Sequence, residues 1–436
     1  MTFSVLCASA RVNSYRSSSI DELNWAGNFR YGAHRIVTPQ SVDELCNLVR
    51  ANDKVKALGT RHSFNDIADS TGLLISTAKL ARIWPVDKRA ETVTVEAGVT
   101  YGMLCRELDR QGYALKNMAS LPHITVSGAC ATATHGSGEK NGNLATSVAR
   151  LEIVKTDGRI VEYSCIENPD IFPGLVVGLG ALGVISRITL ELTPTFDVSQ
   201  QVYLDLPLQQ ALAHFDDIQT RGYSVSLFTD WKDSKIDQVW IKRRTSDRGI
   251  HDADLFGAGP ATLKLHPIGA LDAEPCTEQM GVPGRWYERL PHFKLEFTPS
   301  AAIELQAEYF VPRGHVEEAL LAINSIRASI APLLQVCEIR TIAADNLWMS
   351  PCYQRDSVSI HFTWFQKLAE VERLLPEIER VLSPFNARPH WGKLFAMTAP
   401  ELAPLYPRMP NFMKLLAEFD PTGKFGNTYL QRCIGV

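Results

Sequence analysis

The residues of this 436-residue chain that are best suited to chemistry include two polar pairs in otherwise apolar runs. Glu338 and Arg340 are separated by one apolar residue, and so are His361 and Thr363. Because alternate side chains of a strand share a face, each pair would project from one side of a sheet. Such groups could bind a hydroxyl-rich ligand or stabilise charge that develops during a reaction. A solvated sheet face would give the same alternation, so the pattern leaves both interpretations open.

A glycine-containing loop at residues 57–65 follows a short apolar run and carries His62. Successive backbone N–H groups in such a loop can bind phosphate. His62 could be a ligand, a base or an attachment point there, whereas a loop histidine is more often only solvated. A second run without helical periodicity, residues 388–393, brings together His390, Trp391 and Lys393.

Residues 117–138 are crowded with small and hydroxyl-bearing side chains. Small side chains allow a backbone to approach a ligand closely, and hydroxyl groups can donate hydrogen bonds to phosphate or ribose oxygens. The stretch from residue 120 to residue 138 is unfavourable for both a helix and a strand. We therefore predict a loop that contacts a ligand, with an ordinary polar loop as the alternative.

Residues 178–183 match the GxGxxG pattern of dinucleotide-binding Rossmann folds. That motif must open a helix whose N-terminus holds the pyrophosphate. Here Ile188, Leu190 and Leu192 alternate with polar residues, which predicts a strand instead. The motif is therefore a tight turn between strands, or a turn whose backbone closely approaches another cofactor.

The elements that must position these groups begin with an alternation of helices and strands. Ser41 and Glu44 form a capping box for a first helix, and Thr100 caps a second helix that ends at Gly112. Gly158 is expected to turn a hairpin. Predicted strands in this part span residues 55–58, 93–95, 151–154, 160–163 and 184–192.

The pattern changes near residues 192–198, which indicates a second, α+β domain with a largely antiparallel sheet. Pro376 is expected to kink or divide one of its helices. The predicted elements are strands over residues 224–228, 239–242 and 305–311, helices over residues 315–334 and 368–382, and a loop over residues 247–284.

The composition limits the classes of partner. A formal net charge of −4 without a dense basic run gives no support to nucleic-acid binding. No run approaches the roughly 20 apolar residues that cross a bilayer, and residues 1–11 lack the pattern of a secretion signal. The nine cysteines are odd in number and form no CxxC pair. We therefore expect no metal site, no membrane partner and a reducing compartment, the cytoplasm.

Together these segments resemble the vanillyl-alcohol oxidase family of flavoproteins, and most closely its alditol (xylitol) oxidases, which are related to the aldonolactone oxidases. The similarity runs from residue 24 to residue 425. It implies a two-domain α+β fold, with an FAD-binding domain over residues 1–195 and an antiparallel-sheet cap domain over residues 196–418. Residues 419–436 would return to the FAD-binding domain.

In this family, a loop motif GxGHS carries a histidine that is bonded to the 8α-methyl carbon of FAD. The motif matches residues 59–63 and implies covalent FAD at His62, with Arg61 in place of the common glycine. Ala119 would lie near the flavin face where oxygen approaches. By resemblance, the other FAD contacts come from Ala57, Leu58, Gly59, Thr60, Arg61, Ser63, Ser120, Thr125, Gly128, Thr132, Ala133, Thr134, His135, Ile185 and His390.

The resemblance also implies a reaction. The terminal C1 hydroxyl of an alditol would be oxidised to the aldose by hydride transfer to flavin N5, and dioxygen would be reduced to hydrogen peroxide. Arg340 and Lys393 would be catalytic, because their charge stabilises the alkoxide and the reduced flavin. Lys393 could also accept the hydroxyl proton. The polyol would be held by Ser120, Glu338, Arg340, His361, Thr363 and Lys393.

The alternatives within the family are an aldonolactone oxidase and a dehydrogenase that uses another electron acceptor. A non-catalytic flavin- or sugar-binding protein would need the same site without electron transfer. The polar strand faces favour an open polyol over a lactone ring, and the missing helix makes a nicotinamide-dependent Rossmann dehydrogenase the weakest alternative. A monomer is expected, with the polyol and dioxygen as its small-molecule partners.

Overall fold

The computed structural model of the chain describes residues 23–247, 254–297 and 304–436. Residues 1–11, which were considered above as a secretion signal, and part of the predicted loop at residues 247–284 lie outside these ranges. Within them, helices and mainly antiparallel sheets make an α+β fold, as the resemblance implied. Among the described helices, none combines the length and the apolar character that a bilayer crossing requires.

The first half of the fold contains short strands and helices. Its strands are β1 (Arg35–Val37), β2 (Val55–Leu58), β3 (Leu73–Ser76), β4 (Thr92–Glu96), β5 (Tyr113–Ala114), β6 (Val148–Val154), β7 (Ile160–Ser164), β8 (Val184–Glu191) and β9 (Thr193–Pro194). Its helices are α1 (Val42–Ala51), α2 (Tyr101–Arg110), α3 (Val126–Ala131) and α4 (Phe172–Val176). β1, β3 and β2 form a parallel sheet, β4, β8, β6 and β7 form an antiparallel sheet, and β5 pairs with β9.

Local signals explain several of these boundaries. The Ser41 hydroxyl accepts a hydrogen bond from Glu44 N–H at the start of α1, and the Glu44 carboxylate accepts one from Gln40 N–H, 2.8 Å away. The Thr100 hydroxyl caps α2 by accepting a hydrogen bond from the third backbone N–H of that helix. Gly158, with φ of +79°, turns the hairpin between β6 and β7. The caps at Ser41 and Thr100, the hairpin and the strands predicted for this half are therefore confirmed. The predicted capping box is not closed, because Glu44 bonds to the residue before the N-cap.

The second half is dominated by one large antiparallel sheet. Its strands are β10 (Asp197–Pro207), β11 (Ser224–Thr229), β12 (Lys235–Arg244), β13 (Gly259–Pro260), β14 (Gly284–Arg285), β15 (Leu305–Pro312), β16 (Leu334–Ile342), β17 (Ser357–Trp364) and β18 (Arg388–Pro389). The described strands follow the order β13-β10-β12-β11-β16-β17-β15-β18, and β14 pairs with β10. The helices are α5 (Leu208–Ala213), α6 (Phe215–Gln219), α7 (Val316–Ser325), α8 (Arg327–Ile330), α9 (Leu368–Leu382), α10 (Ala399–Leu402), α11 (Met409–Phe419) and α12 (Thr428–Ile434).

The central strands of the large sheet have two different faces. On one face, Cys337, Ile339, Ile360 and Phe362 pack into an apolar core with residues of α7 and α9. The burial of these side chains supplies most of the driving force for docking the two helices. The residues at alternate positions project from the opposite face, so that face is left for polar groups.

Two local predictions were wrong, and α9 is not divided at Pro376. The helix predicted over residues 315–334 is divided at Ile326, whose φ of −107° and ψ of 14° leave helical geometry. α8 does not continue past Pro332, which has no backbone N–H to bond to the preceding turn, and β16 begins at Leu334. The stretch 120–138 contains α3, whose small residues allow it to pack into the core. Pro376 does not divide α9, since the carbonyl that it deprives of a partner belongs to exposed Glu372 and can bond to water.

The C-terminal segment packs on the first half of the fold. Lys424 O accepts a hydrogen bond from Val55 N–H at 2.9 Å, and Phe425 O accepts one from Lys56 Nζ at 3.0 Å. Trp391 and residues of α11 share an apolar core with β4 and α2. The domain bounds stay a prediction, and these contacts lead us to propose that the FAD-binding domain resumes near residue 391 instead of residue 419.

Candidate functional site

A cavity of about 680 Å³ lies between the two halves of the fold. Its walls come from the loop after β2, from residues 119–135, from residues 178–185 and from the polar face of β15, β16 and β17. These walls include the segments that the sequence indicated for chemistry. Two distant parts of the chain therefore meet around one space.

Three neighbouring strands place polar residues in one row on the wall of this cavity. Glu308 of β15 lies opposite His361 of β17, which lies opposite Glu338 of β16. Gln306 and Thr363 form part of the next row, and all five residues line the cavity. The predicted polar faces of β16 and β17 are confirmed, and they face the cavity instead of bulk solvent.

Glu308 lies among the charged residues of the site, and its side chain is fully buried. Its Oε1 accepts a hydrogen bond from Arg340 Nη2 at 2.8 Å, and its Oε2 accepts one from Lys393 Nζ at 2.6 Å. His135 Nε2 lies 3.0 Å from the same Oε1. Burial opposes ionisation, yet Lys393, His135 and Arg340 hold the pKa of Glu308 well below its usual range. The carboxylate therefore holds both cations beside the cavity.

Lys393 is positioned by the loop that carries His62. Asn65 Nδ2 donates hydrogen bonds to Trp391 O at 2.9 Å and to Lys393 O at 2.7 Å, and Phe64 N–H donates to Gly392 O at 2.8 Å. Burial lowers the pKa of Lys393, against the opposing charge of Glu308 and in the same direction as the charge of Arg340. Its ammonium group can therefore lose a proton more readily than a solvated lysine.

His361 supplies two polar ring nitrogens to the cavity wall. Both of its ring nitrogens are buried and make no hydrogen bond with any described residue. Burial lowers its pKa to about 4, so the ring is neutral near pH 7. Since buried polar atoms are normally hydrogen-bonded, these nitrogens are suited to a ligand hydroxyl in the cavity. Ser120 and Thr363 line the same cavity and add two further hydroxyl groups.

His62 stands on the part of the cavity wall that the first half provides. Its ring stacks on Trp25, with ring centroids 4.8 Å apart. Burial lowers the pKa of His62 to about 4, so its imidazole is neutral near pH 7. Its Nδ1 atom is buried and has no hydrogen-bond partner among the described residues. A neutral imidazole with an unpartnered nitrogen is suited to bond with a cofactor.

Arg61 explains why glycine is common at its position. It has φ of +63°, in the left-handed region that disfavours a side chain. Its backbone carbonyl accepts a hydrogen bond from Trp25 N–H at 2.9 Å, so the conformation is tied to the ring that stacks on His62. The arginine thus adopts the backbone that a glycine would adopt, and the loop keeps its shape.

The Arg61→Gly variant is therefore expected to be more stable, by about 1 kcal/mol. Relief of the left-handed strain raises the free energy of unfolding by roughly 1–2 kcal/mol. The greater conformational freedom of glycine in the unfolded chain lowers it by about 0.4–1 kcal/mol. Urea denaturation followed by tryptophan fluorescence measures the difference. Arg61→Ala is the control, because it removes the side chain and keeps the strain. An equal gain in both variants would contradict the explanation.

Main-chain atoms form much of the cavity wall beside His62. A Cβ atom on Gly59 would lie 2.5 Å from Thr125 Oγ1, and one on Gly128 would lie 2.8 Å from the same atom. Arg61 brings positive charge to this wall, and Lys56, whose pKa burial lowers to about 7, also lines it. A glycine-containing wall with a cation suits a dinucleotide that carries a diphosphate, such as FAD.

The GxGxxG turn lines the same cavity through its glycines. β8 follows it directly, so the predicted strand is confirmed and the Rossmann helix is not formed at this place. Gly183 has φ of +135°, and a Cβ atom there would lie 2.4 Å from Ile153 Cγ2. The turn therefore needs glycine to pack on β6, and its backbone borders the space left for a cofactor.

The structure gathers nearly all of the predicted site residues around the cavity. Ala133 is the exception among them, because it packs into the core and does not line the cavity. The predicted residues that line it are Ala57, Leu58, Gly59, Thr60, Arg61, His62, Ser63, Ser120, Thr125, Gly128, Thr132, Thr134, His135, Ile185, Glu338, Arg340, His361, Thr363, His390 and Lys393. Ala119 also lines it.

Sequence reasoning missed several lining residues, above all Glu308, His292 and Lys56. Glu308 could have been found, because Gln306 and Glu308 alternate with apolar residues in the same way as the polar pairs of β16 and β17. His292 lies in a loop without periodicity, and nothing in its neighbourhood marks it. Lys56 resembles an ordinary surface lysine until β2 is placed in the fold.

Comparisons with known proteins agree with this arrangement. The family model described as FAD binding domain matches residues 33–164, and the model described as D-arabinono-1,4-lactone oxidase matches residues 302–433. Alditol oxidase from Streptomyces sp. is 46% identical over 94% of this chain and 97% of that protein. L-gulonolactone oxidase from Mus musculus is 28% identical over the same shares of the two chains.

Solved structures of cholesterol oxidases share the fold. One described as solvent-stable cholesterol oxidase has a TM-score of 0.75 and 16% identity, over 94% of this chain and 96% of that chain. Cholesterol oxidase from Brevibacterium sterolicum has the same TM-score and 15% identity, over the same shares. At this identity the likeness concerns the fold alone.

Proposed function

Since the chain belongs to the vanillyl-alcohol oxidase family, close to alditol oxidase, and binds FAD as an oxidoreductase, we propose that it oxidises the terminal C1 hydroxyl of alditols such as xylitol and sorbitol. The products are the aldose and, with dioxygen as acceptor, hydrogen peroxide. The observation that carries this proposal is the charged row of Glu308, His361 and Glu338 with Arg340 and Lys393, which faces the FAD cavity.

The residues of the chain supply binding and charge. Bound FAD supplies a two-electron acceptor for the hydride that leaves the substrate carbon. Arg340 and Lys393 stabilise the negative charge that develops on the C1 oxygen as its proton leaves, because they are preorganised by Glu308 and need no rearrangement. Burial lowers the pKa of Lys393, so the residue can also start the reaction as a neutral amine; it would then accept that proton and become the ammonium group that stabilises the C1 oxygen.

The remaining polar groups of the cavity hold the other hydroxyls of the polyol. Glu338 accepts hydrogen bonds from them, and His361, Thr363 and Ser120 can both donate and accept. An open-chain polyol satisfies several such groups at once, whereas a lactone ring ties up one oxygen in its ester and offers fewer hydroxyl donors. This difference favours an alditol over an aldonolactone.

The cofactor is held covalently in this proposal, as an 8α-histidyl FAD on His62. The unpartnered Nδ1 atom and the neutral ring support it. The protein would act as a monomer in the cytoplasm. The free cysteines of the described residues, most of them buried, are in keeping with a reducing compartment.

Peroxide production separates the candidate functions. Purified holoprotein is expected to release hydrogen peroxide with xylitol or sorbitol, and much less with gulono- or galactonolactone. Faster turnover of the lactones would make the chain an aldonolactone oxidase, the activity named for one matching family model. Anaerobic bleaching by xylitol without peroxide in air would indicate a dehydrogenase. A flavin that no polyol or lactone bleaches would indicate a binding protein.

A further inference from the structure

Lys242 of β12 is a fully buried lysine that does not line the cavity. Its Nζ atom lies 2.7 Å from Leu290 O, 3.0 Å from Pro291 O and 3.1 Å from His292 Nδ1. An ammonium group has three hydrogens and no lone pair, so each of these three atoms accepts one hydrogen bond. Burial lowers the pKa of Lys242 to about 7, against the opposing charge of Glu338, and the three acceptors around Nζ offset part of the cost of burying the ammonium form.

This contact fixes the tautomer of His292. The ammonium form of Lys242 can only donate to Nδ1, and with Lys242 in that form the proton of the neutral ring is on Nε2. That nitrogen lies 2.7 Å from Glu338 Oε1, and a carboxylate can accept its hydrogen bond. Burial lowers the pKa of His292 to about 4, and the charge of Lys242 acts in the same direction, so the ring stays neutral near pH 7.

The ring of His292 is also confined by its neighbours. Phe228 and Trp240 contact it edge-on, with centroid distances of 5.6 and 5.2 Å. Phe228 comes from β11 and Trp240 from β12, beside Lys242 in the sheet. The imidazole therefore has one orientation, in which one nitrogen points at Lys242 and the other at Glu338.

The fixed orientation of His292 gives the two carboxylate oxygens of Glu338 different surroundings. Oε1 is occupied by His292, whereas Oε2 lies 3.5 Å from Arg340 Nε and 3.6 Å from His361 Nδ1. Those two nitrogens are buried and make no hydrogen bond with the described residues. A hydroxyl group beside Oε2 could donate to the carboxylate and accept from Arg340 Nε. The arrangement thus presents one carboxylate oxygen to a ligand in the cavity.

We propose that Lys242 and His292 form a relay that holds Glu338 in one orientation and aims its Oε2 atom at a hydroxyl of the bound polyol. Lys242 and His292 are positioning residues in this account, and the account rests on the polyol oxidase function proposed above. Lys242 and His292 are expected to affect substrate binding and not the chemical step, because Arg340 and Lys393 act on the reacting C1 oxygen.

The test is a double-variant cycle of Lys242→Met and Glu338→Gln in the holoprotein. Anaerobic stopped-flow reduction by xylitol gives an apparent Kd and a limiting rate for each variant. Lys242→Met is expected to raise the Kd about tenfold, the loss of roughly one hydrogen bond to a charged group, and to change the limiting rate less than threefold. In the Glu338→Gln background, Lys242→Met should have no further effect on the Kd, because the relay has lost its target.

Lys424→Met is the matched control. Lys424 is another buried lysine, whose Nζ donates to Val49 O and Thr156 O away from the cavity. Its loss should reduce thermal stability and leave the Kd for xylitol unchanged. If Lys242→Met yields no folded holoprotein, His292→Asn takes its place in the cycle with the same expected result.

Additive effects of Lys242→Met and Glu338→Gln on the Kd would overturn the relay, as would an unchanged Kd in Lys242→Met. Both results leave the oxidase function intact, because the unmodified protein is still reduced by xylitol. If xylitol fails to reduce the unmodified protein, the proposed function fails first, and the relay has no polyol to position.

Discussion

Lys393→Met is expected to keep its flavin and to lose reduction of that flavin by xylitol, by about a hundred- to a thousandfold. Methionine keeps an apolar side chain of similar length and removes the ammonium group that lies 2.6 Å from Glu308. The C1 oxygen then loses either an ammonium group that stabilises its negative charge or, when Lys393 starts as a neutral amine, the group that accepts its proton. Anaerobic stopped-flow absorbance of the flavin measures the rate directly.

Lys414→Met serves as the control for this variant, because Lys414 is exposed on α11 and does not line the cavity. It should be reduced by xylitol at the rate of the unmodified protein. The flavin content of the two variants should be equal, which shows that Lys393→Met has not lost the cofactor site. Rapid flavin reduction by Lys393→Met would remove Lys393 from its catalytic role.

The polar faces of the large sheet could be predicted because strand geometry is local. A period of two places Glu338 and Arg340 on one side and buries the apolar residues between and beside them on the other, whatever the partner strands are. The same reasoning gave the caps at Ser41 and Thr100, whose hydroxyl groups act on backbone atoms a few residues away.

The order of the strands could not be predicted in this way. In the sequence, two helices separate β15 from β16. In the sheet, only β17 lies between these two strands. The contact of Glu308 with Arg340 depends on that order, and so does the row that includes His361. The alternation in β15 could have placed Glu308 on a polar face. Its central place among Arg340, Lys393 and His135 could be known only from the folded chain.

Site residues in loops could not be predicted from the sequence for a related reason. The ring of His292 is positioned by side chains from three strands, and none of these contacts produces a periodic pattern in the sequence. Helix α3 was missed because its small residues have low amphipathic contrast, while its burial depends on neighbours far along the chain. Such tertiary effects commonly override local preference.

His62→Ala is expected to release FAD when the protein is denatured in acid, whereas the unmodified protein should keep its yellow colour in the pellet. In the proposal, the His62 ring carries the nitrogen that is bonded to FAD. The alanine variant removes this ring and leaves the other residues of the cavity wall unchanged. The released flavin can be measured by absorbance of the supernatant. His34→Ala, at an exposed histidine of the same half, should keep the colour in the pellet.

The same variant separates attachment from catalysis. The loop that bears Lys393 is bonded to Asn65 and to the backbone of Phe64, and these contacts do not use the His62 side chain. His62→Ala saturated with added FAD should therefore still be reduced by xylitol, with Arg340 and Lys393 in place. A yellow pellet from His62→Ala would show that the covalent bond is made at another residue. Reduction lost together with the bond would mean that His62 also orients the flavin toward the substrate, beyond attaching it.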